Sequence, residues 1–276
     1  MNYDYDFASA SSALYFIYNC DIFYATIAIE KCLYFSYKWF FDKLLKKFQS
    51  STLPQDDCLY IFTSCAVQNH FSNVFYCDSQ EDWIYQCITI IEEYIISRAN
   101  FTTLHGSGLI LNDTTFIILG ERFSGKTTLT NYILNSTNAI FLDDDNIIYS
   151  SGKMYGLNLP IRLRTKPETN ENLICKFSDE CKKSRYLIDA PRSTTIGTNK
   201  SFIIFPHYIE NCNFTSSKLG GQVLFEKLLK SVKYSASNQQ CFKDVCELSK
   251  SVAAFAIEYE NCSLVLEEMK KIESYE

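Results

Sequence analysis

The stretch Ile117-Ile118-Leu119-Gly120-Glu121-Arg122-Phe123-Ser124-Gly125-Lys126-Thr127-Thr128 decides how this chain is read. It contains Gly120-x4-Gly125-Lys126-Thr127, the P-loop pattern, with the right context on each side. Phe116 to Leu119 is an apolar, β-branched run that reads as a buried strand, and Leu129 to Leu134 continues as a short helix. Between a strand and a helix, the backbone N–H groups of such a loop point at phosphate oxygens, and the helix N-terminus adds its positive dipole end. The loop residues Glu121, Arg122, Phe123, Ser124 and Thr128 would then surround a nucleotide's phosphates. Lys126 would neutralise the β/γ-phosphates and the Thr127 hydroxyl would sit on Mg²⁺. Arg122 faces solvent or the nucleotide base.

Working downstream, the acidic triplet Asp143-Asp144-Asp145 begins 17 residues after Lys126. It closes a strand expected over Ala139–Leu142, and the carboxyl ends of strands are where open α/β sheets place ligands. Two adjacent carboxylates there can divide the labour of phosphoryl transfer: one holds Mg²⁺, directly or through water, and the other accepts the hydroxyl proton. Upstream, His105 opens a strand expected over His105–Leu111, which turns at Asn112-Asp113 into the strand feeding the P-loop. Its ring is then placed to approach the phosphates or the acidic pair.

The remaining pattern is α/β. Strands are expected at Ile147–Tyr149, Leu159–Arg164, Phe202–Phe205 and Ala253–Tyr259, and helices at Gly220–Val232, Phe242–Ser251 and Ser263–Ile272. The polar, charged segment Thr165–Lys183 reads as a long loop. Glu81 to Arg98 carries helical spacing through Trp83, Cys87, Ile90, Ile91, Tyr94 and Ile95. Residues 1–80 mix aromatic strand-like runs (Ala13–Tyr18, Leu59–Thr63, Asn73–Cys77) with a helix near Tyr37–Phe48 and a loop at Ser50–Asp57. The expected division is a smaller α+β N-terminal domain over 1–80 and a P-loop core over 81–276.

Composition bounds the reading. A chain of 276 residues with 47% apolar side chains can bury a full core. A net charge of −6 argues against general nucleic-acid binding, and no apolar run reaches membrane-spanning length. The 12 cysteines are scattered without a C-x-x-C pair and there are only 3 histidines, so zinc sites are not expected. Reduced thiols in a cytoplasmic protein fit better. Oligomeric state, a homo-oligomer included, is left open.

Leu104-His105-Gly106 with its hairpin, then Gly120-x4-Gly125-Lys126-Thr127, then an Asp-Asp pair before Ile147-Ile148 resembles the HPr kinase family. The resemblance covers about residues 80 to 265 and is specific from 104 to 149. It implies a compact P-loop core with a mixed sheet, similar to that of phosphoenolpyruvate carboxykinase. Size, the Lys126-Thr127-Thr128 sequence and the tail look closest to the HPr-kinase-like enzymes that modify ribosomally made peptides, the best known of which phosphorylate lasso peptide precursors. By resemblance, His105 is a catalytic-site histidine, Lys126 and Thr127 are phosphate and Mg²⁺ ligands, and the Asp pair is base and metal site. The triplet leaves that pair open. In the family the Asp pair is followed by one residue and then an aliphatic strand residue, so the resemblance to Asp144-Asp145-Asn146-Ile147 implies Asp144 as base and Asp145 as Mg²⁺ partner, with Asp143 in reserve.

Two departures narrow the implication. The family's Glu after the P-loop Ser is Thr128 here, and its second, downstream signature is not apparent. Neither HPr as substrate nor the reverse phosphorylase reaction is therefore expected. Arg162, Arg164, Arg185 and Arg192 are candidates for gripping phosphates or a peptide C-terminus. The resulting expectation is an ATP- and Mg²⁺-dependent kinase acting on a Ser or Thr hydroxyl of a peptide or small protein. A nucleotide-binding regulatory module without transfer, or a small-molecule kinase on the same core, are the alternatives.

Overall fold

The computed structural model describes residues 13–19, 24–45, 48–51, 59–61, 66–68, 74–76, 80–98, 101–167, 172–178, 183–190 and 192–274. The chain forms two compact units. The first comprises Met1–Ala99 with Arg164–Leu187, and the second Asn100–Leu163 with Ile188–Glu276.

The first unit is built on a mixed six-stranded sheet in the order β3-β1-β2-β4-β5-β6. Its strands are β1 (Ala13–Asn19), β2 (Tyr24–Glu30), β3 (Phe48–Ser51), β4 (Leu59–Ile61), β5 (Ala66–Gln68) and β6 (Val74–Tyr76). The helix expected near Tyr37–Phe48 is the short α2 (Lys38–Leu44), and a further short helix, α1 (Lys31–Ser36), precedes it. The loop expected at Ser50–Asp57 begins as the end of β3, and the rest of it lies outside the described residues. Helix α3 (Gln80–Arg98) packs on β2, β4 and β5. All six positions that announced its helical spacing are buried. Trp83 alone meets the rings of both Phe40 and Phe41, each at 5.9 Å.

The boundary expected at residue 80 therefore falls differently in the structure. Helix α3 belongs to the first unit because its apolar face is spent on that unit's sheet. Within the segment expected as a polar loop, Leu173–Ser178 and Ser184–Ile188 form two paired strands, β14 and β15 by their place in the chain. β14 packs against α3, with the Phe177 and Tyr85 rings stacked at 6.2 Å. Residues 168–171 and 179–182 of that segment lie outside the described residues.

The second unit carries the P-loop. Its main sheet runs β10-β8-β9-β16-β19-β17, formed by β8 (Gly106–Leu111), β9 (Thr114–Leu119), β10 (Ile140–Asp143), β16 (Ser201–Tyr208), β17 (Thr215–Lys218) and β19 (Ala253–Tyr259). β9, β16 and β19 are mutually parallel, whereas β8 runs antiparallel to β9 and to β10. The sheet is thus mixed, and the carboxyl ends of β9, β10, β16 and β19 all meet one edge. A smaller antiparallel sheet, β12-β11-β7-β18, consists of β7 (Thr102–Leu104), β11 (Ile147–Ser150), β12 (Lys153–Gly156) and β18 (Val232–Tyr234). β13 (Ile161–Leu163) packs on α4 (Lys126–Ser136), the helix that follows the P-loop.

Alternation along the strands sorts side chains between the two faces of the main sheet. Ile117, Leu119, Ile203, Phe205 and Ala254 join one core cluster with Leu224 and Leu228 of α5 (Gly221–Ser231) and Val245 and Leu248 of α6 (Asn238–Ser251). Phe116 and Phe202, one residue out of phase, stack at 5.8 Å on the opposite face. Helix α7 (Cys262–Glu273) packs against both α4 and β19. Six described cysteines, Cys87, Cys175, Cys212, Cys241, Cys246 and Cys262, take part in no disulfide. Among the described residues no helix is long and apolar enough to cross a membrane.

Candidate functional site

Three strand registers converge on residues 105 to 108. In the β8–β9 hairpin Gly106 pairs with Leu119, so His105 stands one step beyond, level with Gly120 at the start of the P-loop. In the β10–β8 ladder Asp143 pairs with Gly108, which brings Asp144 to Ser107. In the β11–β7 ladder Ile147 pairs with Leu104, which brings Asp145 and Asn146 to His105 and Gly106. The histidine, the acidic triplet and the loop are remote in sequence, and pairing delivers them to a single edge of the sheet.

The loop closes as a phosphate cradle. Gly125 caps α4 in the left-handed region at φ 93°, and a Cβ there would overlap the Tyr259 hydroxyl. A glycine is needed on both counts. Burial pushes the Tyr259 hydroxyl well above its ordinary pKa, so it stays protonated beside the loop. Lys126 is 7% exposed, and its Nζ donates to the carbonyls of Gly120 and Glu121, each at 2.9 Å. Its charge is thus held over the beginning of the loop. Phe123, at φ 72°, projects into solvent with the Arg122 guanidinium 5.6 Å from its ring centre. Ser124 is buried, and among the described residues its hydroxyl has no hydrogen-bond partner. An orphaned hydroxyl and a glycine-only turn at a helix N-terminus fit an anion such as a chain of phosphates.

The three aspartates differ sharply. Asp143 Oδ1 accepts from the backbone N–H groups of Asp144, Asp145 and Asn146 at 2.8, 3.0 and 3.0 Å, and its Oδ2 accepts from Asn158 N–H at 2.9 Å. Both of its oxygens are occupied in holding the turn. Asp144 is buried, and its Oδ1 accepts a hydrogen bond from the Ser107 hydroxyl. Burial, then the adjacent Asp145 charge, pushes the Asp144 carboxyl well above the usual carboxylate range; the Ser107 bond and Arg162 oppose that, and Asp143 adds to it. Asp145 is partly exposed, pairs with the Arg162 guanidinium through Oδ2, and lies 3.7 Å from His105 Nδ1 through Oδ1.

His105 donates its backbone N–H to Ser231 O at 2.7 Å, tying it to the end of α5. Burial pulls its imidazole below the ordinary value of 6.5, Asp145 pulls the other way, and the Lys126 and Lys233 charges lower it further. Lys233 is a site residue that local sequence does not announce. Its Nζ donates to Asn146 Oδ1 at 2.8 Å, directly behind the acidic triplet. Ser107 is another, since only the register reveals its partner. Of the four candidate arginines, Arg162 reaches the site, while Arg192 donates to the carbonyls of Thr137 and Ala139. Arg164 and Arg185 belong to the first unit.

Among the described residues no group of three or more His, Cys, Asp or Glu gathers as a metal cage. Mg²⁺ does not require one, because it keeps several waters and takes one or two protein oxygens beside substrate phosphates. Thr127 and Asp145 are the residues suited to supply those oxygens. Beside the loop, a cavity of about 400 Å³ opens along the carboxyl ends of β9, β16 and β19, with Gly120, Pro206 and Ile257 on its floor and Lys227, Lys230 and Ser231 of α5 on one wall.

No protein-family model matches the chain, and no curated protein is significantly similar to it in sequence. Among solved structures, the HPr(Ser) kinase/phosphatase of Coxiella burnetii is similar over 62% of this chain and 99% of its own, at 13% identity and a TM-score of 0.30. Those values are too low for the likeness to bear on fold or activity.

Proposed function

We propose that this chain is an ATP-dependent kinase of the HPr-kinase type that phosphorylates a Ser or Thr hydroxyl of a peptide or small protein. The observation that carries the reading is the meeting, on one sheet edge, of a P-loop lysine with a buried carboxylate whose pKa is raised toward that of a working base. A general base works best when its pKa lies near the operating pH, and burial moves Asp144 in that direction. Asp144 receives the hydroxyl proton at its carboxylate. Lys126 and the loop N–H groups hold the phosphates, and His105, flanked by two lysines, supplies a neutral imidazole beside them. Asp143 is left with holding the turn, which supports Asp144 as base and Asp145 with Thr127 for the metal. Mg²⁺, when bound, draws charge from the phosphate oxygens. A precursor of a ribosomally made, lasso-type peptide in the cytoplasm is the acceptor this reading puts first.

The test is incubation with labelled ATP and Mg²⁺ alongside Ser- and Thr-containing peptides, followed by mass spectrometry. Phosphate on a peptide, lost on chelating Mg²⁺ and in Asp144→Asn, supports the kinase. ATP bound with no transfer to any hydroxyl sinks it and leaves a regulatory nucleotide-binding module.

A further inference from the structure

We propose that the lysine-walled cavity beside the P-loop receives the acceptor, and that it selects an acceptor carrying a carboxylate or phosphate next to the hydroxyl. The assignment builds on the kinase reading and names the substrate chemistry of that site. Its first support is position. A P-loop lysine spans the β- and γ-phosphates, and here its amine rests on the Gly120 and Glu121 carbonyls. The γ-phosphoryl end therefore lies over the beginning of the loop. The cavity is lined by those same two residues, with Ser124 and its unpartnered buried hydroxyl. In-line transfer requires the attacking oxygen beyond the γ-phosphorus, away from the leaving oxygen. This cavity offers such a space, since it opens beside Gly120 and Glu121.

The second support is charge. Lys227 and Lys230 lie one turn apart on α5 and both line the cavity. The Lys227 amine stands 5.2 Å from the Phe205 ring centre, at the cavity floor. Three residues further on, Lys233 reaches the Asn146 amide oxygen beside the acidic triplet. Lys227 and Lys230 thus put two positive charges on the α5 side of the cavity, and Lys233 a third beside the acidic triplet. Two carboxylates also line the space, Glu121 on the loop and Glu258 on β19, so the positive charge is confined to the α5 side. An anionic group on the acceptor would settle against α5, with its hydroxyl toward the Gly120–Glu121 end of the cavity. The volume matches a small ligand or a peptide residue with its neighbour.

Two matched pairs of probes test this: glycerol against glycerol 3-phosphate, and serine peptides flanked by Glu against the same peptides flanked by Gln. Binding is titrated in the presence of Mg²⁺ and a non-hydrolysable ATP analogue, and transfer is measured separately with ATP. The expected result is about tenfold tighter binding of the anionic member of at least one pair, the size of one charge-assisted contact. Lys227→Gln/Lys230→Gln should erase that preference, and Lys230→Glu should reverse it, with affinity for the ATP analogue held within twofold. The pair that shows the preference tells a small anion from an acidic peptide. Equal binding of neutral and anionic probes, or a preference that survives the double substitution, overturns the proposal while leaving the kinase reading intact. Loss of ATP-analogue affinity in the double variant also overturns it, by giving the cavity to the nucleoside. An anion preference without transfer to any probe upholds the cavity's role and sinks the kinase reading instead.

Discussion

The Ser107 hydroxyl donates to the Asp144 carboxylate, joining the second residue of one strand to the first residue after another. That bond favours the ionised form, against the burial that raises the Asp144 pKa. In Ser107→Ala the carboxyl should titrate at still higher pH. The rising limb of kcat/KM against pH then moves to higher pH, and activity measured on that limb falls several-fold while KM for ATP changes little. An unmoved limb would show that Asp144 is not the titrating base.

Asp144→Asn should abolish transfer, by a factor of about 10² to 10⁴ for loss of a general base, and yet stabilise the unliganded protein. Because the folded-state pKa is raised, the carboxyl's contribution to stability is fully present below its ordinary value of 3.8 and is lost as pH rises through the raised value. Above the raised value the fold carries a buried charge. Thermal unfolding should therefore show the advantage of Asn growing as pH rises through that value and vanishing near pH 4.

Substitution of the preceding residue should do the reverse. Asp143→Ala strips four backbone N–H groups of their acceptor. The loss should be about 3–5 kcal/mol, as for breaking a buried polar network, with Asp143→Asn intermediate because one of its two terminal atoms is now a donor. Urea unfolding measures both. A neutral Asp143→Ala would remove its assignment as the clasp of the turn.

Gly125→Ala combines a left-handed backbone with overlap against the Tyr259 hydroxyl. It should cost about 1–3 kcal/mol and weaken nucleotide binding at least tenfold in a fluorescent ATP-analogue titration. Adding Tyr259→Phe removes the overlap but not the strain, so rescue should be partial.

His105 should titrate below 6.5 by NMR, since burial dominates its surroundings. Lys233→Met removes a like charge and should raise the value; Asp145→Asn removes the opposing carboxylate and should lower it further. Opposite movements would mean that the ring does not face these groups.

Much of this arrangement is legible in the sequence. The β9–loop–α4 unit announces itself because its glycine spacing, apolar strand and helix are all local. What the sequence hides is register. His105 reads as the first residue of a strand, whereas it is the break at which the chain passes from the small sheet (Leu104) to the large one (Gly106). Ser107 and Lys233 carry no motif, and only pairing with partners 37 and 87 residues away brings them to the site. Likewise the short apolar run of Leu173–Ser178, with Phe177 fully buried, is hidden by the polar and charged residues on either side of it. The strand Tyr24–Glu30 carries a weak signal, because small Ala25, Thr26 and Ala28 stand among its larger residues.

The hydrogen bond from His105 to Ser231 gives α5 two duties along one short rod. Lys227 and Ser231 are four residues apart, about 6 Å along the axis, so the helix that meets arriving cargo also grips the backbone of the ring beside the phosphates. A shift of that rod would be felt at both places at once. Loading and alignment would then be a single mechanical event, with misfit cargo leaving the ring out of line.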